Sequence, residues 1–281
     1  MSTHAARLAA LRDTLAATKL TGFVIPLTDE HMSEYVGEYA QRLAWLTGFE
    51  GSAGAAVVLA DKAAMFTDGR YTLQVRAQVD GALYDYISIP ETPTTDWLAV
   101  NAKAGDRIGY DPWLHTKGWV SATAKALAAR GAELVALPQN PVDAVWAMRP
   151  APSGAALEVH DAALAGQSSA DKRAAVAAWL KTQNSDAVVI TALDSIAWLL
   201  NIRGRDVART PVALAFVIVH ADASADLYVE PGKLTDAVRA HLGADVRTGV
   251  RVGAVQSDGD GVRVVQDGDQ LSQVLMQFFQ L

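Results

Sequence analysis

The sequence predicts an α/β fold made of two related domains in tandem. Helices and short strands alternate along all 281 residues, and the second half repeats the pattern of the first. Residues 148–154 contain two prolines and a glycine without periodicity, which is typical of a linker. A hydrophobic content of 51% supplies enough apolar surface for a folded core. We therefore place the domains at residues 1–155 and 156–281.

The first domain is predicted to begin with an amphipathic helix, because Leu8, Leu11 and Leu15 recur at helical spacing. Strands are then predicted at residues 21–26, 55–59, 63–67, 83–89, 107–110 and 132–137. The predicted helix starts are Asp68 for residues 70–79, Thr94 or Thr95 for a short helix with Trp97 and Leu98, and Thr116 for a helix that ends at Gly131.

The second domain repeats this order of elements. Ser169 is predicted to cap a helix with Val176, Trp179 and Leu180 on one face. The later predictions are a strand at 186–191, a hairpin of 211–219 with 225–229, and a helix opened by Pro231 and ended by Gly243. Residues 250–255 and 262–265 could be strands, and Leu271, Val274, Leu275, Phe278 and Phe279 form an apolar helical face. This domain, a partner subunit or a following domain must cover that face.

Matching segments of the two halves indicate the repeat directly. In each half a helix leads to an apolar strand, Gly22-Phe23-Val24-Ile25 in the first and residues 187–190 in the second, and Ala44-Trp45-Leu46 is matched by residues 197–199. The offsets, 164 residues from Val24 to Val188 and 153 from Trp45 to Trp198, place about eleven extra residues around 29–39 of the first half. A chance likeness between two α/β units remains an alternative at this point.

Composition excludes several classes of protein. The net charge of −7 opposes binding to a phosphate backbone, so no nucleic-acid partner is expected. The chain has no cysteine, which removes disulfides, thiolate metal sites and cysteine nucleophiles. No apolar run approaches the roughly 20 residues of a membrane span. Arg7, Arg12 and Asp13 interrupt any secretory signal, and we therefore expect a cytoplasmic protein without a membrane partner.

The glycine-rich stretch at residues 48–54 (GFEGSAG) carries no standard catalytic signature. It leads into a strand instead of a helix, so the helix-dipole argument for phosphate binding fails. Glu50 stands where the first glycine of G-x-S-x-G belongs, so Ser52 does not match a hydrolase nucleophile. A tight loop that feeds a strand is the simpler interpretation.

Arg70, in residues 67–71 (TDGRY), is the most informative single residue. It falls in the first turn of a predicted helix, where the helix dipole disfavours a cation. A guanidinium at such a place is suited to hold a carboxylate or a polarised carbonyl. A structural salt bridge is the alternative.

Other charged clusters give weaker signals. His31 lies near Asp29, Glu30 and Glu34, which could form a local metal site, but a surface loop is the preferred interpretation. The acidic residues between 258 and 269 miss the EF-hand pattern. Residues 203–209 form a basic loop without interleaved aromatics, which is typical of a solvated or internally paired loop.

Four motifs, in order along the chain, are similar to those of the three-domain Xaa-Pro aminopeptidases (aminopeptidase P). They are residues 48–54, residues 67–71, residues 141–146 (PVDAVW) followed by Arg149 and Pro150, and residues 191–204 (TALDSIAWLLNIRG). The resemblance runs from about residue 5 to residue 245 and implies two creatinase N-terminal-like domains, each a mixed β-sheet flanked by helices. From about Val250 the sequence departs from the family.

The resemblance also implies a division of labour. In that family a third domain of the pita-bread fold holds a pair of Mn or Zn ions, and a metal-bridging hydroxide attacks the bond before proline. We expect the chain to end before that domain begins, since no residue matches its ligands. The resemblance thus implies no catalytic residue, no metal ligand and no cofactor in this chain.

Arg70 is the one functional residue that the resemblance carries over. In the family this arginine reaches towards the substrate, a peptide with proline at its second position, at the mouth of the active site. The N-terminal domains frame that entrance and contribute to dimer contacts, so a homodimer is expected.

Three hypotheses follow. The chain is the non-catalytic N-terminal region of an Xaa-Pro aminopeptidase, inactive by itself; or it is a binding or assembly module that docks through the apolar face at 271–279; or it is an independent α/β hydrolase that uses Ser52. The first is preferred because of the four motifs.

Overall fold

The helices and strands fall into two units, Met1–Ala151 and Pro152–Leu281, in the computed structural model. The structure describes residues 3–248 and 264–266. Both units are mixed α/β sheets flanked by helices, as the sequence predicts. The exact limits of the two domains stay a prediction.

The first unit contains six strands and six helices among its described residues. The strands are β1 (Gly22–Pro26), β2 (Gly54–Leu59), β3 (Ala63–Thr67), β4 (Asp85–Ser88), β5 (Arg107–Tyr110) and β6 (Glu133–Ala136). The helices are α1 (His4–Ala17), α2 (Arg42–Thr47), α3 (Thr72–Gln78), α4 (Thr94–Asn101), α5 (Lys117–Ala128) and α6 (Pro141–Val145).

The first sheet has the strand order β4-β3-β2-β1-β5-β6. β1 runs antiparallel to β2, and β2 antiparallel to β3, with Gly54 opposite Thr67. The other neighbours, β3 with β4, β1 with β5 and β5 with β6, run parallel. Residues 60–62 therefore join β2 and β3 as a hairpin, and the start of β2 meets the end of β3 at one edge.

Apolar side chains cover both faces of this sheet. Leu8, Leu11 and Leu15 are all buried on α1, so the predicted amphipathic helix is confirmed. They pack with Phe23 and Ile25 on one face of the sheet. On the opposite face, side chains from α4 and α5, among them Leu98 and Leu127, cover Val24, Val57 and Phe66. Alternation along each strand thus builds two cores on one sheet.

The second unit repeats this topology. Its strands are β7 (Glu158–Val159), β8 (Ala187–Ile190), β9 (Ile202–Arg203), β10 (Ala215–His220), β11 (Ala225–Val229), β12 (Val246–Thr248) and β13 (Val264–Gln266). Its helices are α7 (Ala162–Ala165), α8 (Ser169–Thr182), α9 (Leu193–Leu200) and α10 (Asp236–Leu242).

The main sheet of this unit has the order β12-β11-β10-β8-β13. β8 pairs antiparallel with β10 and parallel with β13, as β1 does with β2 and β5. β10 and β11 form the predicted hairpin, and β11 runs parallel to β12 as β3 does to β4. The matching strand directions confirm that the chain contains two related domains.

Four predicted helix starts need correction. Asp68 caps a 3-10 turn, Gly69–Tyr71, and the helix predicted at 70–79 begins only at Thr72. The cap of α8 is Ser168, whose Oγ accepts from the Asp171 N–H, so Ser169 is already helical. Pro93 precedes α4, while Thr94 and Thr95 bond to side chains of α5. Pro231 opens only a short 3-10 turn, Pro231–Lys233, and Thr235 caps α10. A cap needs a free side-chain oxygen, which tertiary contacts withdraw from Thr94 and Thr95.

Other predictions meet different outcomes. His31 is 7% exposed and therefore buried, so its assignment to a surface loop was wrong. The predicted strand at 250–255, the acidic residues between 258 and 269, and the apolar face at 271–279 lie outside the described residues. None of the helices in the described ranges combines the length and apolar character that a membrane crossing requires.

The His115 imidazole predicts a pH dependence of stability. Its Nδ1 lies 2.9 Å from the carbonyl oxygen of Asp111, its Nε2 is buried without a hydrogen-bond partner, and its ring lies against that of Trp119, with 4.1 Å between centroids and a tilt of 31°. Burial lowers the pKa of His115 below its usual 6.5. The folded chain then binds fewer protons than the unfolded chain, so this group removes stability as the pH falls below about 6.5.

We expect the stability of the native chain to fall more steeply than that of His115→Gln between pH 7.5 and pH 5.5. Urea denaturation of both proteins at several pH values measures the difference. A difference that does not change with pH would contradict the assignment.

Candidate functional site

Two of the sequence motifs meet at one edge of the first sheet. Residues 48–54 lead into β2, and residues 67–71 leave β3, so the pairing of Gly54 with Thr67 brings the two motifs together. The Thr67 hydroxyl donates to the carbonyl of Ala53 at 2.7 Å and fastens this junction. The site therefore arises from the β2–β3 hairpin, with both motifs at its open end.

Steric limits require glycine at two positions of the first motif. Gly48 ends α2 with φ of 88°, a conformation that L side chains rarely adopt. A Cβ on Gly51 would lie 2.4 Å from the Phe49 ring and 2.8 Å from the Tyr71 ring. Gly51 thus lets the backbone pass beneath two rings that pack edge to face at 5.6 Å.

Arg70 lies in a 3-10 turn, Gly69–Tyr71, between β3 and α3. Asp68 caps this turn by accepting from the Arg70 N–H at 2.9 Å, and its carboxylate also accepts from the Arg70 guanidinium at 2.8 Å. The Arg70 side chain remains 60% exposed and lies over the Tyr71 ring. The cap carboxylate offsets the unfavourable dipole without burying the cation, so Arg70 stays accessible to a ligand.

A chain of hydroxyls connects this turn to Glu34. The Ser52 hydroxyl donates to Glu34 at 2.7 Å and lies 2.8 Å from the Tyr71 hydroxyl. Because the Glu34 carboxylate only accepts and Ser52 has one proton, Tyr71 donates to Ser52. Glu34 also lies 4.0 Å from the Arg70 guanidinium. Ser52 is thus engaged by a carboxylate and a phenol, and neither of these partners is the imidazole that a serine hydrolase needs.

Glu34 belongs to the strap, which we define as residues 27–41 between β1 and α2. The corresponding connection in the second unit, between β8 and α9, has only residues 191–192. The extra residues that the repeat predicted around 29–39 are therefore the segment that brings Glu34 to Arg70 and Ser52. Sequence comparison of the halves located this segment but gave no sign of its contacts.

Residues 141–149 form an ion-pair cluster that the sequence did not reveal. Asp143 accepts two hydrogen bonds from the buried Arg42, at 2.7 and 2.9 Å, and a third from Arg149 at 2.7 Å. Arg149 also donates to the carbonyl of Tyr39 at 2.8 Å. The carboxylate of one motif thus joins α2, α6 and the end of the strap.

The second unit has a counterpart of the Arg70 turn, but the basic side chain of that turn is buried. The 3-10 turn Pro231–Lys233 follows β11 as the Arg70 turn follows β3. Lys233 is 2% exposed and lies 2.5 Å from the buried Asp206 of the basic loop. This pairing buries the only cation of the turn, so at this position the second unit exposes no equivalent of Arg70.

The motif at residues 191–204 is built around a buried lysine. The Lys172 ammonium donates to the Asn201 side chain at 2.6 Å and to the carbonyl of Trp198 at 2.9 Å. Asn201 ends α9 in the left-handed conformation, with φ of 50°. Burial lowers the pKa of Lys172. These contacts explain the motif as packing around the end of α9.

The structure gives the dinuclear metal of the resembled family no site in the described ranges. There, His, Asp and Glu side chains nowhere form a group of three that could hold a metal ion. In particular, the Asp29 carboxylate accepts from the backbone N–H groups of His31 and Ser33 instead of facing a shared centre. These residues therefore do not fit a metal pair.

Family models match both halves of the chain. Residues 7–149 match one model of the creatinase/prolidase N-terminal domain, and residues 148–277 match a second model with the same description.

Curated relatives carry related names. A probable Xaa-Pro aminopeptidase P of Aspergillus niger is 38% identical over 244 residues, which are 85% of this chain and 39% of that protein. Aminopeptidase P2 of Arabidopsis thaliana is 38% identical over 227 residues, covering 79% of this chain and 32% of that protein. The chain therefore spans between about a third and two fifths of the length of these relatives.

A solved structure shares the fold of both units. The X-prolyl aminopeptidase of Caenorhabditis elegans, described as a cytosolic enzyme with a di-nuclear active site, superposes with a TM-score of 0.83 at 34% identity. The likeness covers 88% of this chain and 42% of that one.

Proposed function

The chain belongs to the creatinase/prolidase N-terminal domain family, and we propose that it supplies the non-catalytic, substrate-framing region of an Xaa-Pro aminopeptidase. The substrate class is a peptide with proline at its second position. In this proposal the reaction itself takes place on a dinuclear metal centre outside the described residues. A homodimer in the cytoplasm is part of the same proposal, in keeping with the cytosolic relative.

The exposure and orientation of Arg70 support its role in peptide binding. Arg70 is 60% exposed at the edge where two motifs of the resembled family meet, and its guanidinium has a carboxylate on one side and an aromatic ring on the other. Asp68 fixes its direction, while most of its surface stays open. An oriented, exposed guanidinium can bind the carbonyl groups or the carboxylate of a peptide.

The chemistry assigned to this region is binding and orientation. Arg70 donates hydrogen bonds to acceptors of the peptide. The Tyr71 ring lies beneath the Arg70 guanidinium, and Ser52 holds the Tyr71 hydroxyl. Neither the Arg70 guanidinium nor the engaged Ser52 hydroxyl supplies a nucleophile. The proposal therefore expects altered substrate handling, and unaltered folding, when Arg70 is removed.

Arg70→Ala tests the proposal in two steps. In the isolated chain we expect the thermal midpoint to change by less than about 2 °C, because the side chain is exposed. The kinetic step uses a chimera in which residues 5–245 replace the matching region of the C. elegans enzyme. There, Arg70→Ala is expected to lower kcat/KM for an Xaa-Pro peptide about tenfold, the value of one charged hydrogen bond.

Arg130→Ala is the matched control, because Arg130 is an exposed arginine of the same unit away from the two motifs. Equal kinetics for Arg70→Ala and Arg130→Ala in an active chimera would refute the role of Arg70. A loss of folding in Arg70→Ala would instead support the structural salt bridge.

A further inference from the structure

The strap is held at both ends by buried polar contacts. At its start, Asp29 is fully buried, and its Oδ1 accepts from the N–H groups of His31 at 3.0 Å and Ser33 at 3.1 Å. This turn directs the chain outward towards Glu34. Because the second unit lacks such a segment, the strap is not required by the sheet topology that both units share.

The end of the strap is closed by Tyr39 and Arg149. The Tyr39 hydroxyl donates to Glu30 at 2.7 Å, so the strap is also closed on itself. Burial, reinforced by the Glu30 carboxylate, raises the pKa of Tyr39, and its hydroxyl therefore stays a donor. Arg149 donates from Nε to the Tyr39 carbonyl at 2.8 Å, and its guanidinium lies over the Tyr39 ring.

Arg149 is itself fixed by the ion-pair cluster. Its Nη1 donates to Asp143 at 2.7 Å, and Asp143 is held in turn by the bidentate Arg42. The Arg149 side chain is 27% exposed, whereas that of Arg42 is 7% exposed. Arg42 therefore serves the core of the unit, and Arg149 adds the cross-link from this cluster to the strap carbonyl.

We propose that Arg149 is a positioning residue of the Arg70 site, which holds the strap closed so that Glu34 lies against Ser52 and beside Arg70. The geometry is a relay of contacts: Arg149 to the Tyr39 carbonyl, Tyr39 to Glu30 within the strap, and Glu34 at its middle to Ser52, which in turn bonds to Tyr71. Its importance for peptide binding rests on the proposed function, but the positioning can be tested without any peptide.

The first measurement is amide hydrogen exchange of the full chain. In Arg149→Ala, exchange at residues 30–38 is expected to rise about tenfold or more, while β2 and β3 exchange as in the native protein. Arg149→Lys keeps one cation and is expected to restore part of the protection. Arg107→Ala is the matched control, because Arg107 also pairs with a carboxylate, Glu133, and donates to a main-chain carbonyl, that of Lys19.

The second measurement reports on Glu34 through Tyr71, whose titration is followed by NMR of ring-labelled tyrosine and assigned with Tyr71→Phe. When Glu34 leaves, Ser52 becomes free to donate to the phenolate, so the titration midpoint is expected to fall. The Glu34→Gln variant gives the reference value for this shift of the Tyr71 titration midpoint. Arg149→Ala is expected to reproduce most of it, and Arg149→Lys to reverse it in part. Arg70 and Asp68, which also face Tyr71, are unchanged in all variants.

The outcomes separate clearly. Faster exchange in the strap with a shifted Tyr71 titration supports the positioning role. Unchanged exchange, or faster exchange spread equally over the sheet, overturns it, and so does a mobile strap with an unshifted Tyr71. If Arg149→Ala does not fold, Arg149→Lys decides by the same two readouts. If Arg70→Ala leaves kcat/KM unchanged, these exchange and titration results still stand. The two proposals can therefore be refuted independently.

Discussion

Lys233→Met is expected to lower the free energy of unfolding of the second unit by about 3–5 kcal/mol. The Lys233 and Asp206 side chains are 3% and 0% exposed, and their charged atoms lie 2.5 Å apart. Asp206 Oδ2 also accepts from the Leu214 N–H, while Oδ1 is buried without a hydrogen-bond partner. Removing the ammonium would leave a buried carboxylate with a single neutral donor, and the desolvation cost is then uncompensated.

Native-state hydrogen exchange of β10 and β11 measures this loss in the second unit by itself. The double variant Lys233→Met with Asp206→Asn is expected to lose less than Lys233→Met, because no buried charge remains and the new amide oxygen would still accept from the Leu214 N–H. The exposed pair Arg205–Glu158 is the control, and its removal is expected to cost less than about 1 kcal/mol. A cost for Lys233→Met no larger than that of the exposed pair would show that the buried pair contributes little.

Asp143→Asn is expected to destabilise the first unit by about 3 kcal/mol or more. One carboxylate there pairs with both Arg42 and Arg149, and Arg42 Nη1 is already buried without a hydrogen-bond partner. The asparagine side chain has the same shape but no charge. Its NH2 group replaces one carboxylate oxygen, so a donor would face the guanidinium groups. The loss of stability should spread over α2 and α6, since Arg42 begins α2 and Asp143 lies in α6.

Hydrogen exchange of β1 and α1 reports this effect, with Asp85→Asn as the matched control. Asp85 is exposed on β4 of the same unit, and its replacement is expected to change stability by no more than about 0.5 kcal/mol. The interpretation fails if the two variants lose similar amounts of stability. The strap is expected to loosen in Asp143→Asn as well, because Arg149 loses its second anchor.

Patterns within the sequence predicted much of this fold because local burial follows local periodicity. The three leucines of α1, the alternation along β10 and β11 and the glycine after α10 each reflect a rule that acts within a few residues. The repeat also predicted the segment around 29–39 as extra, since an insertion shifts the offset between matching motifs. Such features need no knowledge of distant neighbours.

The buried charges could not be found in the same way. Lys172, Lys233 and Arg42 belong to residue types that are usually exposed, and each is buried only because a partner far along the chain satisfies it. His31 was assigned to the surface for the same reason. Arg70 was found from its unfavourable place in a helical turn, but its neighbours Glu34 and Ser52 became visible only when the strap and the hairpin were in place.

The central claim is that the two units contribute substrate access and orientation, without cleaving a bond themselves. The most direct measurement is hydrolysis of an Xaa-Pro peptide by the purified chain with added Mn²⁺ or Zn²⁺. We expect no turnover above that of the metal ion in buffer. Turnover by the chain that a chelator abolishes would contradict it, because residues of this chain would then build a metal centre of their own.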